Sequence, residues 1–413
     1  MQRDKLIPHL FRTEYSKIVA VLCNSFDLTH LEIAEDIAAD TFLKATEVWG
    51  LKGLPENPTA WLYTVAKNKV KDYFKRNAIF EKRVKDAIKP DVAAAEKQFE
   101  FSHQNITDSQ LAMIFAVCNP CNPAEAQICL ALQILCGFSV EEIANAFLSK
   151  TETIKKRLHR GRTKLRTGNF KIKTLSEKEI KLRQDSVLKT LYLLFNEGYF
   201  SKTNNQVIRK DLCSEALRLA FILTQNTLTN TAETNALLSL MCFQSSRLDA
   251  RIDHNGQAIL FDQQDKNLWN TELIEKGNYY LAMACNGSIL SKYHLEAAIA
   301  YWHATPSTSN KWQHILKLYD ELILIECSHI IVLNRAFALA KVFGYAMAIK
   351  EVEKQALHHI NYYHSMLGFL YADTAIDVAI GHYNQAVTLT KSTTEKQTLK
   401  KEIERLKTLV NPI

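Results

Sequence analysis

The chain has 413 residues, of which twelve are glycine and eight proline, under half the share of these backbone breakers in average composition. Because glycine and proline mark sharp turns, bulges and flexible linkers, their scarcity argues against collagen-like, linker-rich and most β-rich chains and leaves a mostly helical protein. Hydrophobic residues at 47% and charged residues at 23% are an ordinary globular balance, and the net charge of +7 matters less than where it sits.

The N-terminal run MQRDKLIPHLFRTEY has charges where a signal peptide needs an apolar stretch, and no run of about 18 apolar residues follows. A cytoplasmic protein with no membrane contact is expected. From Leu31 to Trp49 a helical period places Ile33, Ala34, Ile37, Ala38, Phe42, Ala45 and Val48 on one face, with Asp36 and Asp40 on another. Gly53, Pro55 and Pro58 then mark a loop over Leu51–Thr59. A second helix runs from Trp61 with Leu62, Val65, Ala66, Val70 and Tyr73 inside; Lys67, Lys71 and Lys75 stack outside beside Asn68 and Asp72. Like charges at that spacing repel by a few tenths of a kcal/mol, which a bound phosphate backbone would relieve. Trp61, Tyr63 and Phe74 interleave with these lysines, the mixture that single-stranded nucleic acid favours; core packing of the same rings is the competing reading. Lys67–Lys89 holds nine basic residues against three acidic.

An alanine- and charge-rich segment without clear period, 89–105, reads as a linker. Cys118-Asn-Pro-Cys121 with Cys129 and Cys136 could be drawn as a zinc site, but Cys129 and Cys136 sit in an apolar run and no second C-x-x-C or H-x-x-x-H completes it. Buried thiols, with no metal, are expected. Ser139-Val-Glu-Glu142 and Ser149-Lys-Thr-Glu152 both fit the capping box S-x-x-E, leaving room for a short helix, a turn at Phe147–Leu148 and a longer helix. In the longer one Ile154, Leu158 and Leu165 face inward, and Lys155–Lys173 carries nine basic residues and no acidic one. A recognition helix in a major groove needs such a cationic surface; a solvated helix face would look the same. Neither G-x-G-x-x-G nor G-x-x-x-x-G-K-[ST] occurs, so no nucleotide cofactor is expected.

Residues 181–413 are nearly neutral, with 24 basic against 22 acidic residues. Helical periods fall at 184–196, 211–225, 232–246, 271–286, 292–303, 310–325, 330–342, 345–357, 362–373 and 376–390. Leu367-Gly368-x-x-Tyr371 and Ala379-x-x-x-Tyr383-x-x-Ala386 echo the tetratricopeptide pattern, though generic helix packing fits as well.

With these residues in hand, the sequence resembles a bacterial RNA polymerase sigma factor of the extracytoplasmic-function type in the sigma-70 family. Ala34–Ala45 is similar to the polymerase-binding part of region 2, and Ala60–Arg76 to its promoter-melting part. Phe138–Ala144 and Thr153–Arg162 are similar to the region 4 helix-turn-helix. Leu191–Tyr199, Asp262–Trp269 and Asn334-Arg335-Ala336 resemble signatures of a subgroup with a long helical extension; Cys118-Asn-Pro-Cys121 departs from the Cys-His-Pro usual there. The resemblance implies an all-α chain: region 2 over 1–88, region 4 over 106–172, a helical extension over 173–290 and tetratricopeptide-like repeats over 291–413. It implies that Asp36 and Asp40 meet the polymerase clamp helices, with the polymerase flap as a further contact. Trp61, Lys67, Asn68, Lys71 and Arg76 then hold the melted −10 strand, and Thr153, Lys155, Lys156, Arg157, Arg160 and Arg162 contact the −35 element. The partners are core RNA polymerase and promoter DNA; no residue is catalytic, and the extension regulates by touching the sigma domains or the polymerase. One alternative is a helix-turn-helix repressor or activator that never joins polymerase. Another is an enzyme in the extension using Asn196, Glu197, Asp262, Asp265, His294 or His303.

Overall fold

The computed structural model describes residues 3–26, 31–84, 101–147, 149–167, 176–199, 209–253, 259, 261–287, 290–305, 309–390 and 392–410. The chain is all-α: every long regular element among those residues is a helix. It divides into two compact units, Met1–Leu193 and Leu194–Ile413. The expected linker lies outside the described residues up to position 100, as do Leu148, Lys171 and Lys173.

The first unit contains α1 (Arg3–Phe26), α2 (Leu31–Lys52), α3 (Pro58–Val84), α4 (His103–Val117), α5 (Ala124–Leu130), a π turn (Ala131–Leu135), α6 (Val140–Ala146), α7 (Thr151–Thr167) and the part of α8 (Glu177–Tyr199) up to Leu193. Within helix α1 the stretch Ile18–Cys23 is at most 1% exposed on every side, and a stretch wet on no face shows no 3.6-residue period. The helix is the hub of the unit. Phe11 stacks on Tyr15 at 4.7 Å and meets Phe42 of α2 edge-on at 5.1 Å. The same two rings lie against Gly137, which takes φ +67° in the turn before α6. Asn24 of α1 also donates to Ser109 Oγ of α4 at 3.0 Å.

Ala34, Ile37, Ala38, Phe42 and Ala45 of α2, and Leu62, Val65, Ala66 and Val70 of α3, are buried as their spacing requires. Helix α2 runs on to Lys52 and stops at Gly53, whose φ of +87° suits a residue without Cβ. Helix α3 starts at Pro58 rather than Trp61, because proline fits the first helical position and Asn57 Oδ1 caps the Ala60 N–H at 3.0 Å. The loop expected over Leu51–Thr59 thus shrinks to 53–57.

The Ser139 capping box forms in both directions, Ser139 N–H to Glu142 Oε2 at 2.8 Å and Glu142 N–H to Ser139 Oγ at 3.1 Å. The Ser149 box does not set the start of α7. That helix opens one residue later, with Ile154 N–H on Lys150 O, and Glu152 pairs instead with Lys155 at 3.3 Å.

The second unit takes the rest of α8, then α9 (Lys210–Thr224), α10 (Ala232–Ser245), α11 (Thr271–Ala284), α12 (Lys292–Ala304), α13 (Lys311–Ile325), α14 (His329–Phe343), α15 (Tyr345–Glu353), α16 (Asn361–Tyr371), α17 (Ile376–Leu389) and α18 (Thr393–Val410). Consecutive helices pack on one another through small residues. A Cβ on Gly277 would come within 2.7 Å of the Phe243 ring, and one on Gly368 within 2.8 Å of Tyr383. Of the tetratricopeptide echo, Leu367 is buried in a cluster of α14 to α16, Ala379, Tyr383 and Ala386 are buried between α17 and α18, and Tyr371 is half-buried. Among the described residues no helix is long and apolar enough to cross a membrane.

Candidate polymerase and nucleic-acid interface

Two surfaces of the first unit carry the expected contact residues. On α2, Asp36 and Asp40 are both exposed, one turn apart, and Asp40 Oδ2 accepts a 3.0 Å hydrogen bond from Lys69 of α3. On α3, Asn68 and Arg76 are exposed while Lys67 and Lys71 are half-buried at the stem, as long cationic side chains lie when their heads reach water. The rings divide. Trp61 is half-buried against Trp49 of α2, their centroids 5.2 Å apart. Tyr63 stacks on Phe101 at 4.6 Å and donates its hydroxyl to the buried Glu14 carboxylate. Burial and that carboxylate push the Tyr63 phenol well above its usual range, so this ring is committed to packing. Phe74 stays exposed, and Tyr73 is half-buried beside it. In the last turn of α2 Leu51 is 89% exposed, an apolar side chain with no place in the core of its own unit.

The second surface is α7. Ile154, Leu158, Gly161 and Leu165 are buried against α5, where a Cβ on Gly161 would meet Leu130 Cδ1 at 2.9 Å. That orientation turns Thr153, Lys155, Lys156, His159 and Arg160 to solvent. Two of the expected DNA contacts point elsewhere. Arg157 donates to Glu125 at 3.1 Å. Arg162 forms a bidentate pair with Glu35 of α2, at 2.6 and 2.7 Å, and also donates to Gln133 Oε1 of the π turn at 2.8 and 3.2 Å. Burial opposes the guanidinium charge, but the Glu35 carboxylate outweighs it and the Arg162 pKa moves up. Arg166 lies 3.6 Å from Glu32. The roles of Glu32, Glu35 and Gln133 were not legible in the sequence, although an acidic L-E-I-A-E-D and a basic R-G-R-T-K-L-R are complementary in retrospect.

Of the four cysteines expected to be buried, Cys121 is exposed. Cys118, Cys129 and Cys136 are buried, and burial pushes the Cys118 thiol up to about 12. The turn they flank braces α7: Asn122 Nδ2 donates to Gly161 O at 3.3 Å and Lys164 to Cys121 O at 3.2 Å. In the second unit His294 caps α12 through Ser291, and Asp265 caps a 3-10 turn. His303 packs instead on Phe261 at 5.0 Å, so these candidate enzyme groups serve different local structures; the Asp262 side chain lies outside the described residues.

Fold and surface together define an all-helical protein whose first unit sets an acidic helix beside a basic, aromatic-bearing one. Residues 10–79, which run from within α1 to within α3, match the model of sigma-70 region 2, and residues 183–285 match a family of unknown function, DUF6596. A protein of Rhizobium meliloti (strain 1021), itself uncharacterized, is 30% identical over 365 residues, covering 85% of this chain and 86% of its own. No solved structure matches. The chain thus carries a sigma-70 region 2 domain, which supports membership of the sigma-70 family and with it a part in transcription initiation with core RNA polymerase and promoter DNA.

Proposed function

We propose that the protein is a sigma factor of the extracytoplasmic-function type that directs core polymerase to promoters, with its second unit as a regulatory extension carrying tetratricopeptide-like repeats. The observation that carries this reading is the coincidence of the region 2 match with α1 to α3, where Asp36 and Asp40 stand exposed on α2 and the Lys67–Arg76 face lies on α3. In this reading Asp36 and Asp40 offer carboxylates to arginines of the clamp helices. Lys67, Asn68, Lys71 and Arg76 hold the −10 strand, and Trp61 with the adjoining loop sits beside an extruded base; unstacking that base costs a few kcal/mol, offset by its pocket. Thr153, Lys155, Lys156 and Arg160 of α7 contact −35 phosphates and base edges, with α6 and α7 as the helix-turn-helix. Arg157 and Arg162 join them after release from their carboxylates. No step of chemistry belongs to the chain itself.

Charge reversal tests the reading. Asp36→Lys with Asp40→Lys is expected to weaken binding of the full chain to core polymerase by at least tenfold while leaving duplex DNA binding in place. Unchanged polymerase binding would instead favour a regulator that acts without joining the enzyme.

A further inference from the structure

Within the second unit, side chains from distant parts of the chain converge on Phe261. Its ring lies 6.1 Å from the Trp269 ring, centroid to centroid, and meets the His303 ring of α12 edge-on at 5.0 Å. Trp312 of α13 meets His303 edge-on in turn, at 5.6 Å. The Arg247 guanidinium, just past the end of α10, stands 5.1 Å from the centroid of the Phe261 ring and 5.9 Å from that of Trp269. Trp269 and Lys311 are buried, whereas Arg247, Phe261, His303 and Trp312 are half-buried. The cluster is therefore dry in part and still open to solvent.

Its polar character is that of hydrogen-bond donors and positive charge. Trp269 Nε1 is buried without a hydrogen-bond partner among the described residues, and so is His303 Nδ1. An indole N–H can only donate, and folded proteins rarely leave a buried donor unpaired. The charges that bear on His303 are Arg247 and Lys311, both positive. No carboxylate pairs with Arg247 among the described residues; it donates to Tyr199 Oη at 2.9 Å, and further N–H groups remain on its guanidinium. A water molecule could accept from Trp269 but would leave the positive charge unbalanced. An anion answers both needs. We propose that this cluster is a binding site for a small aromatic carboxylate. The carboxylate takes the Trp269 N–H and the Arg247 fork, whose parallel N–H groups match two carboxylate oxygens. His303 adds a contact in the tautomer that carries hydrogen on Nδ1. The flat apolar body lies against the Phe261 and Trp312 rings, since ligand sites join a few directed polar groups to aromatic walls. A ligand so held ties the Phe261–Trp269 segment to α12 and α13. The assignment stands on the second unit alone and does not depend on the sigma reading.

The test titrates the full-length protein with benzoate, with benzamide as its neutral counterpart and with inorganic phosphate as an anion lacking a ring. Binding is followed by calorimetry and by the melting temperature. Benzoate is expected to bind saturably and to raise the melting temperature, as a ligand of the folded state does. Benzamide and phosphate are each expected to bind more weakly by about tenfold or more, because neither offers both the charged planar fork and the ring. Trp269→Phe keeps an aromatic ring and removes the N–H, while Arg247→Gln removes the charge. Each is expected to weaken benzoate by about tenfold or more, the loss of one hydrogen bond to a charged group. Arg247 also holds Tyr199, so Trp269→Phe keeps the test decisive should Arg247→Gln lower the melting temperature of the free protein. No benzoate binding by the wild type would overturn the site. Benzamide or phosphate binding as tightly as benzoate would overturn its assignment to an aromatic carboxylate. Undiminished benzoate binding in either variant would put the benzoate elsewhere on the chain and overturn the site as well. None of these outcomes bears on polymerase binding, which the Asp36 and Asp40 variants test separately.

Discussion

His303 shows how one residue's surroundings become a measurable property. Its ring packs edge-on against Phe261 and Trp312, its Nδ1 is buried without a hydrogen-bond partner among the described residues, and burial, with Arg247 and Lys311 nearby, pushes its pKa down to about 3. The unfolded chain takes up this proton near pH 6.5 while the folded chain refuses it, so protons favour unfolding across the window from about 6.5 down to 3. Stability of the second unit is expected to be full above pH 6.5 and to fall by up to about 1.4 kcal/mol per pH unit below it. Melting curves between pH 7.5 and 5 should show this slope in wild type and a shallower one in His303→Phe. At the other surface, Lys156 and Arg160 are exposed on α7. If Lys156 contacts a phosphate, Lys156→Ala should weaken DNA binding alike on all sequences and reduce the salt slope by about one. Anisotropy titrations over several salt concentrations measure that directly, and an unchanged slope would remove Lys156 from the contact set.

Between helices, Gly161, Gly198, Gly277 and Gly368 are points of close approach. Gly198 ends the Leu191–Tyr199 segment, and a Cβ there would lie 2.8 Å from Arg209 O and 2.9 Å from Cys213 N. Backbone cannot yield as a side-chain tip can. Gly198→Ala is therefore expected to destabilise the α8–α9 junction by about 1–3 kcal/mol, read as a lowered melting temperature; a neutral result would mean that the helices separate freely. Many of the periodic segments of the second half were legible to within a few residues because those helices have one wet and one dry face, although α10 was legible too with Thr234–Phe243 buried throughout. Helix α1 was not, and in it Ile18–Cys23 is buried all round. Nor was α18, whose TTEKQTLKKEIERLKTLV is mostly charged and polar, with Leu399, Ile403 and Leu406 alone supplying its dry edge. Helix boundaries moved where caps decided them, at Asn57-Pro58 and at Lys150-Thr151.

At the scale of the molecule, the site was legible as residue types and spacing but not as partnerships. Asp36, Asp40 and the basic faces of α3 and α7 could be read from period and charge. The joining of Arg162 to Glu35 could not, since 127 positions separate them and no local pattern reports a contact of that range. The same holds for α8. Thr190 and Ser186 both donate to Gln127 Oε1 of α5, at 2.9 and 3.0 Å, so a cut near Leu175 would strip the first unit of part of its own packing. Regulation by the extension is better probed by ending the chain after Tyr199, where a changed set of promoters is expected. The central claim, that this chain carries core polymerase to promoters, is met most directly by transcribing a genomic library with core polymerase and the full-length protein and mapping the 5′ ends. The account predicts a discrete set of starts, each preceded by shared −35 and −10 sequences, that vanishes with Asp36→Lys and Asp40→Lys. No starts beyond those of core polymerase alone would contradict it.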